Sequence, residues 1–353
     1  MQEGIDFVIA WVDGTDPAWR QRKKSYEPKG AEGGKEDSSA RYRDWNLLRY
    51  WFRAVEKYAP WVRKIWFVTE GHLPAWLDTN NPRISVVRHE DYIPEEYLPT
   101  FSSHPIELNL FRIRGLSERF VYFNDDMYLM RQVREEDFFR NGLPVDEPAL
   151  WIHCPLKGKI IHNISLNDAG VINDHFDMRK IMRRDRRKWF NPKIGIKHLT
   201  LNLALSACPR FPGFHQFHAP TPMLRSVCEE AWEKDSSLAE TSARRIRDIR
   251  DLNQWIFREW AIAEGKYSVG AIHKQNRMIA FDQQSLDEAM RELQEAFDDP
   301  RLKTLCINDY DHGGDDFDVE RVSRRIAEMF EIKLSEKSSF EKDIDGDEAG
   351  KNA

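Results

Sequence analysis

"RFVYFNDDMYLM", residues 119–130, runs a block of β-branched and aromatic residues straight into two adjacent acids. Phe120, Val121, Tyr122 and Phe123 have the composition of a buried strand. Burying an unpaired carboxylate costs several kcal/mol, on the order of what a whole apolar side chain gains by burial. Asp125 and Asp126 therefore belong where that strand ends, at a rim facing water, a cation or a phosphate. The ordinary alternative for an Asp-Asp pair is a polar turn that closes a strand.

The surrounding pattern decides between the two. "IDFVIAWV" (5–12) reads as a strand ending at "DGTD", and "RDWNLLRYWFRAVEKYA" (43–59) as a helix with Leu47, Leu48, Trp51, Phe52 and Val55 on one face. "KIWFVTE" (64–70) and "ISVVRH" (84–89) are strands around "LPAWLD" (73–78), a predicted short helix. "PIELNLFRIRGL" (105–116) has a Pro-led helical start. Strand alternating with helix predicts an α/β fold, a mostly parallel sheet with helices on both faces. Such sheets bind ligands beyond the carboxyl ends of their strands. Asp13 and the Asp125–Asp126 pair both fall at such ends.

After about residue 150 the pattern turns helical, most clearly in "DLNQWIFREWAIAEG" (251–265), "SLDEAMRELQEAF" (285–297) and "VERVSRRIAEMFEI" (319–332). The expected organisation is an α/β core over 1–150, a mainly helical part over 151–333 and a flexible polar tail over 334–353.

Composition narrows the class. Of the 353 residues, 41% are hydrophobic and 12% aromatic, and the twelve Trp suit sugar or base stacking as well as a large core. The net charge of -6, with basic runs confined to "MRRDRRKW" (182–189) and "SARRIRDIR" (242–250), argues against general nucleic-acid binding. No apolar run approaches the roughly 20 residues of a membrane span. "MQEGIDFVIAWVDG" has no basic n-region or small-residue cleavage site. Cys154, Cys208, Cys228 and Cys306 are widely spaced, which fits free thiols in a reducing compartment. The cytoplasm is the expected address. Dinucleotide and P-loop glycine motifs are absent. "PKGAEGGKEDSSA" (28–40) reads as a mobile loop, a lid or a tolerated insertion.

Longer blocks carry a resemblance. "IDFVIAWVDGTDPAW", "RYRDWNLLRYWFRAVEKYAPWVRKIWFVTEGHLPAWL" and "LPTFSSHPIELNLFRIRGLSERFVYFNDDMYL" resemble the first two conserved regions of the Stealth family. "FHQFHAPTPMLRSV" and "TSARRIRDIRDLNQW" resemble the third, and "LCINDYDHGGDD" the fourth. These are bacterial capsule and exopolysaccharide phosphotransferases, similar to the animal enzyme that adds GlcNAc-1-phosphate to lysosomal glycoproteins. The resemblance implies transfer of a hexose-1-phosphate from a UDP-sugar, UDP-GlcNAc first, to a hydroxyl of a polysaccharide or oligosaccharide acceptor. It further implies a glycosyltransferase-A-like, Rossmann-like core and a divalent cation, Mg2+ or Mn2+. Peripheral association with membrane-bound capsule machinery is part of the same expectation.

Set on these residues, the chemistry needs oxygen ligands for the cation and neutralised phosphate charge. Asp126 is the leading ligand, with Asp125 as ligand or orienter, and which of them touches metal stays open. Asn308 and Asp309 of "CIND" complete the coordination, or merely open a helix-capping loop in which Asp316 or Asp318 precedes a clear helix. Asp309, Asp311, Gly314 and Glu320 sit at EF-hand spacing, but Gly313 at the fifth position and a strand-like run before the loop argue against that motif.

His218 in "FHAPTP" is the candidate acceptor of the hydroxyl proton, and His215 is its competitor. Arg247 matches the family's phosphate-clamping Arg, while Arg244, Arg245 and Arg250 read as solvated helix face or salt-bridge partners. Trp11, Asp13, Gly14 and Asn124 are expected at the nucleotide-sugar pocket. Arg41 and Arg43 reach the diphosphate, or Arg43 and Asp44 merely pair at a helix start. Glu107 positions acceptor or sugar, or is a helix cap. Two other classes stay open: an ordinary metal-dependent glycosyltransferase that releases UDP, and a catalytically idle sugar-binding subunit.

Overall fold

The computed structural model describes residues 4–27, 45–155, 157, 160–281, 285–308 and 319–342. Its centre is a five-stranded sheet. Strands β1 (Ile5–Ala10), β2 (Lys64–Thr69), β3 (Ile84–Arg88) and β4 (Arg119–Phe123) run parallel in the order β3-β2-β1-β4. This is the doubly wound, Rossmann-like order that the alternating pattern predicts. Phe7, Val8, Phe67, Phe120 and Phe123 are fully buried, so both faces of these strands are covered.

The remaining strands are β5 (Met127–Leu129), β6 (Phe139–Arg140), β7 (Leu143–Asp146), β8 (Thr221–Leu224), β9 (Ser268–Val269), β10 (Asn276–Ala280) and β11 (Thr304–Asn308). Strand β8 joins the main sheet antiparallel to β4, and β11 pairs antiparallel with β5 and parallel with β10. Strands from both expected halves thus share sheets. A third small sheet, β6-β7-β9, turns through Asn141 and Gly142, both at positive φ, the Asn-Gly signal of a two-residue hairpin. Among the described residues no helix is long and apolar enough to cross a membrane.

Several boundaries differ from the sequence reading. The helix expected over 43–59 is Leu48–Tyr58. Asn46 before it takes φ 56°, a left-handed kink that apolar spacing does not register. The helix read over 105–116 is Ser103–Leu108 followed by a separate turn of 3-10 helix, Leu110–Arg112.

The expected short helix at 73–78 is absent. Its backbone is engaged instead by the chain's last described residues: Asp78 N donates to Phe340 O, Lys342 N to Trp76 O, and Leu77 bridges Glu341. Residues 334–342 are accordingly packed rather than frayed. Leu334 and Phe340 are buried, and Glu341 pairs with the buried Arg53 at 2.8 Å. Burying a side chain the size of Phe340 contributes about 1.5–3 kcal/mol, which adds to the backbone bonds and the Arg53–Glu341 pair that hold this segment.

Candidate active site

A cleft of about 400 Å³ opens beyond the carboxyl ends of β1 and β4. The chain entering it from β1 supplies Trp11, and the turn after β4 supplies Asn124, Asp125 and Asp126. Glu107, His218, Arg247 and Asn308 line the same cleft, although they lie far apart in sequence. Asp13 and Gly14 do not line it. The Asp13 carboxylate accepts from Thr15 N and Thr15 Oγ1, while Gly14 O accepts from Arg20 Nε at 2.6 Å, so both close the strand as a turn. Arg41, Arg43 and Asp309, with the EF-hand spacing and the Gly-rich loop, lie outside the described residues.

Pairing of β5 with β11 explains how "NDD" meets "CIN". Cys306 stands opposite Met127, and Ile307 N donates to Asp126 O at 2.9 Å. The Cys306 thiol donates to Asp126 Oδ2 at 3.3 Å, while Asp126 Oδ1 is buried with no hydrogen-bond partner. Burial pushes the Asp126 carboxyl up to about 6, a sign that its charge lacks compensation. Asn124 Oδ1 is likewise buried and unpartnered. Asp125 is more exposed, and its carbonyl accepts from the Tyr128 hydroxyl at 2.9 Å. Two hard oxygen acceptors lacking donors, beside Asn308, fit a divalent cation that takes oxygen ligands.

His218 sits edge-on to Trp255, with ring centroids 5.3 Å apart, and its carbonyl accepts from Asn276 Nδ2 at 3.0 Å. Burial lowers its pKa, so the imidazole is neutral at pH 7 and able to accept a proton. His215 faces away from the cleft, packed against Trp151 and His198. Burial, with His198 and Arg258 nearby, pushes it down to about 3.

Arg247 donates through Nη2 to Ser103 Oγ at 3.1 Å, leaving a buried Nε without a partner. Its neighbours are otherwise occupied: Arg244 pairs with Asp251, Arg250 with Asp248, and Arg245 donates to Glu96 O. All of them lie on a loop rather than a helix face.

Glu107 lies past the first turn of its helix, where Ser102 Oγ is the cap, accepting from His104 N. Its carboxylate, 6% exposed, accepts from Gln254 N at 3.3 Å and from the Tyr122 hydroxyl at 3.4 Å. The capping reading is therefore set aside. Sequence reasoning missed the buried His104–Asp251 pair at 2.9 Å, whose histidine lines the cleft. It also placed residues 251–254 in a helix that begins at Trp255, whereas Asn253 and Gln254 form cleft wall. The only available signal was that His104 lies inside one of the blocks quoted above.

The chain is similar to known proteins over nearly its whole length. Residues 3–31 match the family model for Stealth protein conserved region 1, and residues 41–145 that for conserved region 2. The capsular polysaccharide phosphotransferase WcwK of Streptococcus pneumoniae is 39% identical over 97% of this chain and 100% of its own length. The receptor polysaccharide phosphotransferase WefC of Streptococcus gordonii is 40% identical over 97% of this chain and 100% of its own. The exopolysaccharide phosphotransferase cps2G of Lactiplantibacillus plantarum is 34% identical over 96% of both. Among solved structures, the galactosyltransferase LgtC in complex with donor and acceptor sugar analogs aligns at 11% identity and TM-score 0.38, over 95% of this chain and 98% of that one. With such relatives along nearly its whole length, the chain belongs to the Stealth family of polysaccharide phosphotransferases.

Proposed function

We propose that the chain transfers a hexose-1-phosphate, GlcNAc-1-phosphate first, from a UDP-sugar to a hydroxyl of a capsular or exopolysaccharide acceptor, and releases UMP. The observation that carries this reading is the convergence of Asn124, Asp126, Glu107, His218, Arg247 and Asn308 on one cleft at the carboxyl ends of a parallel sheet.

The acceptor oxygen attacks the sugar-bearing phosphorus of the donor. A new phosphorus–oxygen bond forms, the bond from that phosphorus to the bridging oxygen breaks, and UMP leaves with the electron pair. His218, held neutral by its burial, takes the hydroxyl proton. Arg247 offers its unpartnered Nε–H to the non-bridging phosphate oxygens, where charge develops. Glu107, fixed by Gln254 N and Tyr122, orients a sugar hydroxyl, and Trp11 gives the donor an aromatic face.

A Mg2+ or Mn2+ ion held by Asp126, with Asn124, Asp125 and Asn308 around it, would neutralise diphosphate charge. Arg41, Arg43 and Asp309 belong to the same proposal by sequence alone, as do peripheral membrane association and a cytoplasmic address.

The test is the leaving nucleotide. With UDP-GlcNAc, Mg2+ and an oligosaccharide acceptor, chromatography should find UMP, and phosphorus NMR of the product a phosphodiester. UDP release with an ordinary glycosidic linkage overturns the reading and leaves a glycosyltransferase.

A further inference from the structure

A second cluster of ligating side chains lies outside the cleft. Glu147 follows β7 and is 0% exposed; His198, on the helix Gly195–Leu205, is 5% exposed. His273 sits in the 3-10 turn Ile272–Lys274 after β9. One ligand atom from each lies within 4.8 Å of the other two, and none of the three lines the cleft.

We propose that Glu147, His198 and His273 bind a transition-metal ion, zinc by preference, at a site distinct from the sugar-phosphate cleft. The donor set is two imidazoles and one carboxylate, which suits zinc bonded at about 2.0–2.2 Å and is poor for Mg2+. Three protein ligands leave the fourth tetrahedral position to water.

Three observations support it. His198 Nδ1 is buried without a well-formed hydrogen bond among the described residues, although the Ile194 carbonyl one turn back lies close to the ring. The His273 Nδ1 meets both Glu147 oxygens, and the His273 N–H donates to Glu147 Oε2 at 3.3 Å, so carboxylate and ring are already held together.

The local charge is also unbalanced. The nearby guanidinium of Arg258 is committed to Asp146 at 2.7 Å and to the carbonyls of Glu147 and His215. The fully buried Glu147 carboxylate therefore meets only His273 among the described side chains, with no guanidinium or ammonium paired to it. A divalent ion supplies the missing positive charge.

The consequence is mechanical. Glu147, His198 and His273 come from three segments remote in sequence, and an ion binding them would staple those segments together. Arg258 holds the carbonyls of Glu147 and His215 at 3.1 Å each, and His215 N donates to Ala149 O at 2.8 Å. The staple therefore fixes the strand end that anchors the loop leading to His218.

The experiment is elemental analysis of the tag-free full chain, which reads metal and not turnover. About one zinc per chain should survive dialysis into metal-free buffer. Asp126→Asn should keep that ion, whereas His198→Ala and His273→Ala should each lose it.

Because those variants can also unfold, wild type stripped by a strong chelator serves as the second measurement. Co2+ added to it should bind at one equivalent, give the visible absorption of a low-symmetry N/O site and raise the melting temperature. A wild-type chain that purifies without transition metal, and neither binds Zn2+ or Co2+ at micromolar concentration nor shifts in melting temperature, overturns the proposal. Undiminished binding in a folded His198→Ala, His273→Ala double variant overturns it equally.

Discussion

The two ends of the central sheet treat a buried carboxylate in opposite ways. Near the amino end of β1, Asp6 is fully buried, but its oxygens accept from Arg63 Nε at 2.7 Å, Trp66 Nε1 at 2.8 Å and Ser117 N at 2.9 Å. At the carboxyl end, beyond β4, Asp126 holds one weak thiol donor and an orphaned oxygen, with Asn124 Oδ1 and Arg247 Nε similarly unpartnered nearby. Buried polar groups in native proteins are almost always satisfied, so a set of unsatisfied ones facing one cleft needs an external partner. One end of the sheet is finished as structure; on the function proposed above, the other is completed by its ligand.

The largest expected effect breaks the satisfied end. Asp6→Ala leaves the indole N–H of Trp66 and the Ser117 N–H without their acceptor and the Arg63 guanidinium with only the Gly115 carbonyl. Removing one partner from such a buried pair costs about 3–5 kcal/mol. Urea denaturation should register that loss, with turnover per folded molecule unchanged.

Asp126→Asn sharpens the contrast from the other side. It should lower turnover about a thousandfold, ~4 kcal/mol at the transition state, while the urea midpoint holds. Chelation of the wild type should reproduce the loss. A variant that unfolds as readily as Asp6→Ala would mean that both ends are structural.

His218→Ala should cost on the order of a hundredfold or more in turnover with donor affinity nearly intact. His215→Ala should change the rate far less, since its ring faces His198 and Trp151. A pH profile adds a second check. Burial lowers the pKa of His218, so its neutral, proton-accepting form predominates at pH 7. Activity should then fall as pH drops through that lowered value, below about 6.5. A carboxylate that holds a cation titrates well below its metal-free value, so this acid limb should vanish from the residual rate of His218→Ala.

The smallest of the four is Arg247→Ala, which removes a charged hydrogen bond of about 1.5–3 kcal/mol, ten- to a hundredfold. It should weaken donor binding together with kcat/KM, which separates it from His218→Ala. Isothermal titration with UDP-GlcNAc measures the first and steady-state kinetics the second.

Strand β4 and its acidic end were legible because both signals are local: apolar side chains at strand spacing, then two acids too costly to bury unpaired. The helices Leu48–Tyr58, Leu286–Asp298 and Val319–Lys333 were legible for the same reason, with boundaries off by a few residues where Asn46 or a cap intervened. Asp13 was not decided by sequence, because strand ends attract aspartate both as turn former and as ligand, and its neighbours in sequence are identical in either role.

What the sequence determined by itself is the alternation of strand and helix, the placement of acids at strand ends, and the blocks that resemble the Stealth regions. Only tertiary structure decided which of these meet. Cys306 reaches Asp126 across 180 residues through the β5–β11 pairing, and residues 334–342 take the hydrogen bonds that a helix at 73–78 would have kept for itself. His215 and His218, three positions apart, face different sites: His215 packs on His198, while His218 sits at a tight turn in which Ala219 N donates to Phe217 O and its ring meets Trp255. Glu147, His198 and His273 share no motif at all. The physical reason is the same in each case. Backbone hydrogen bonds and ligand convergence are made between segments whose partner has no fixed spacing along the chain, so a local pattern carries the element but not its address.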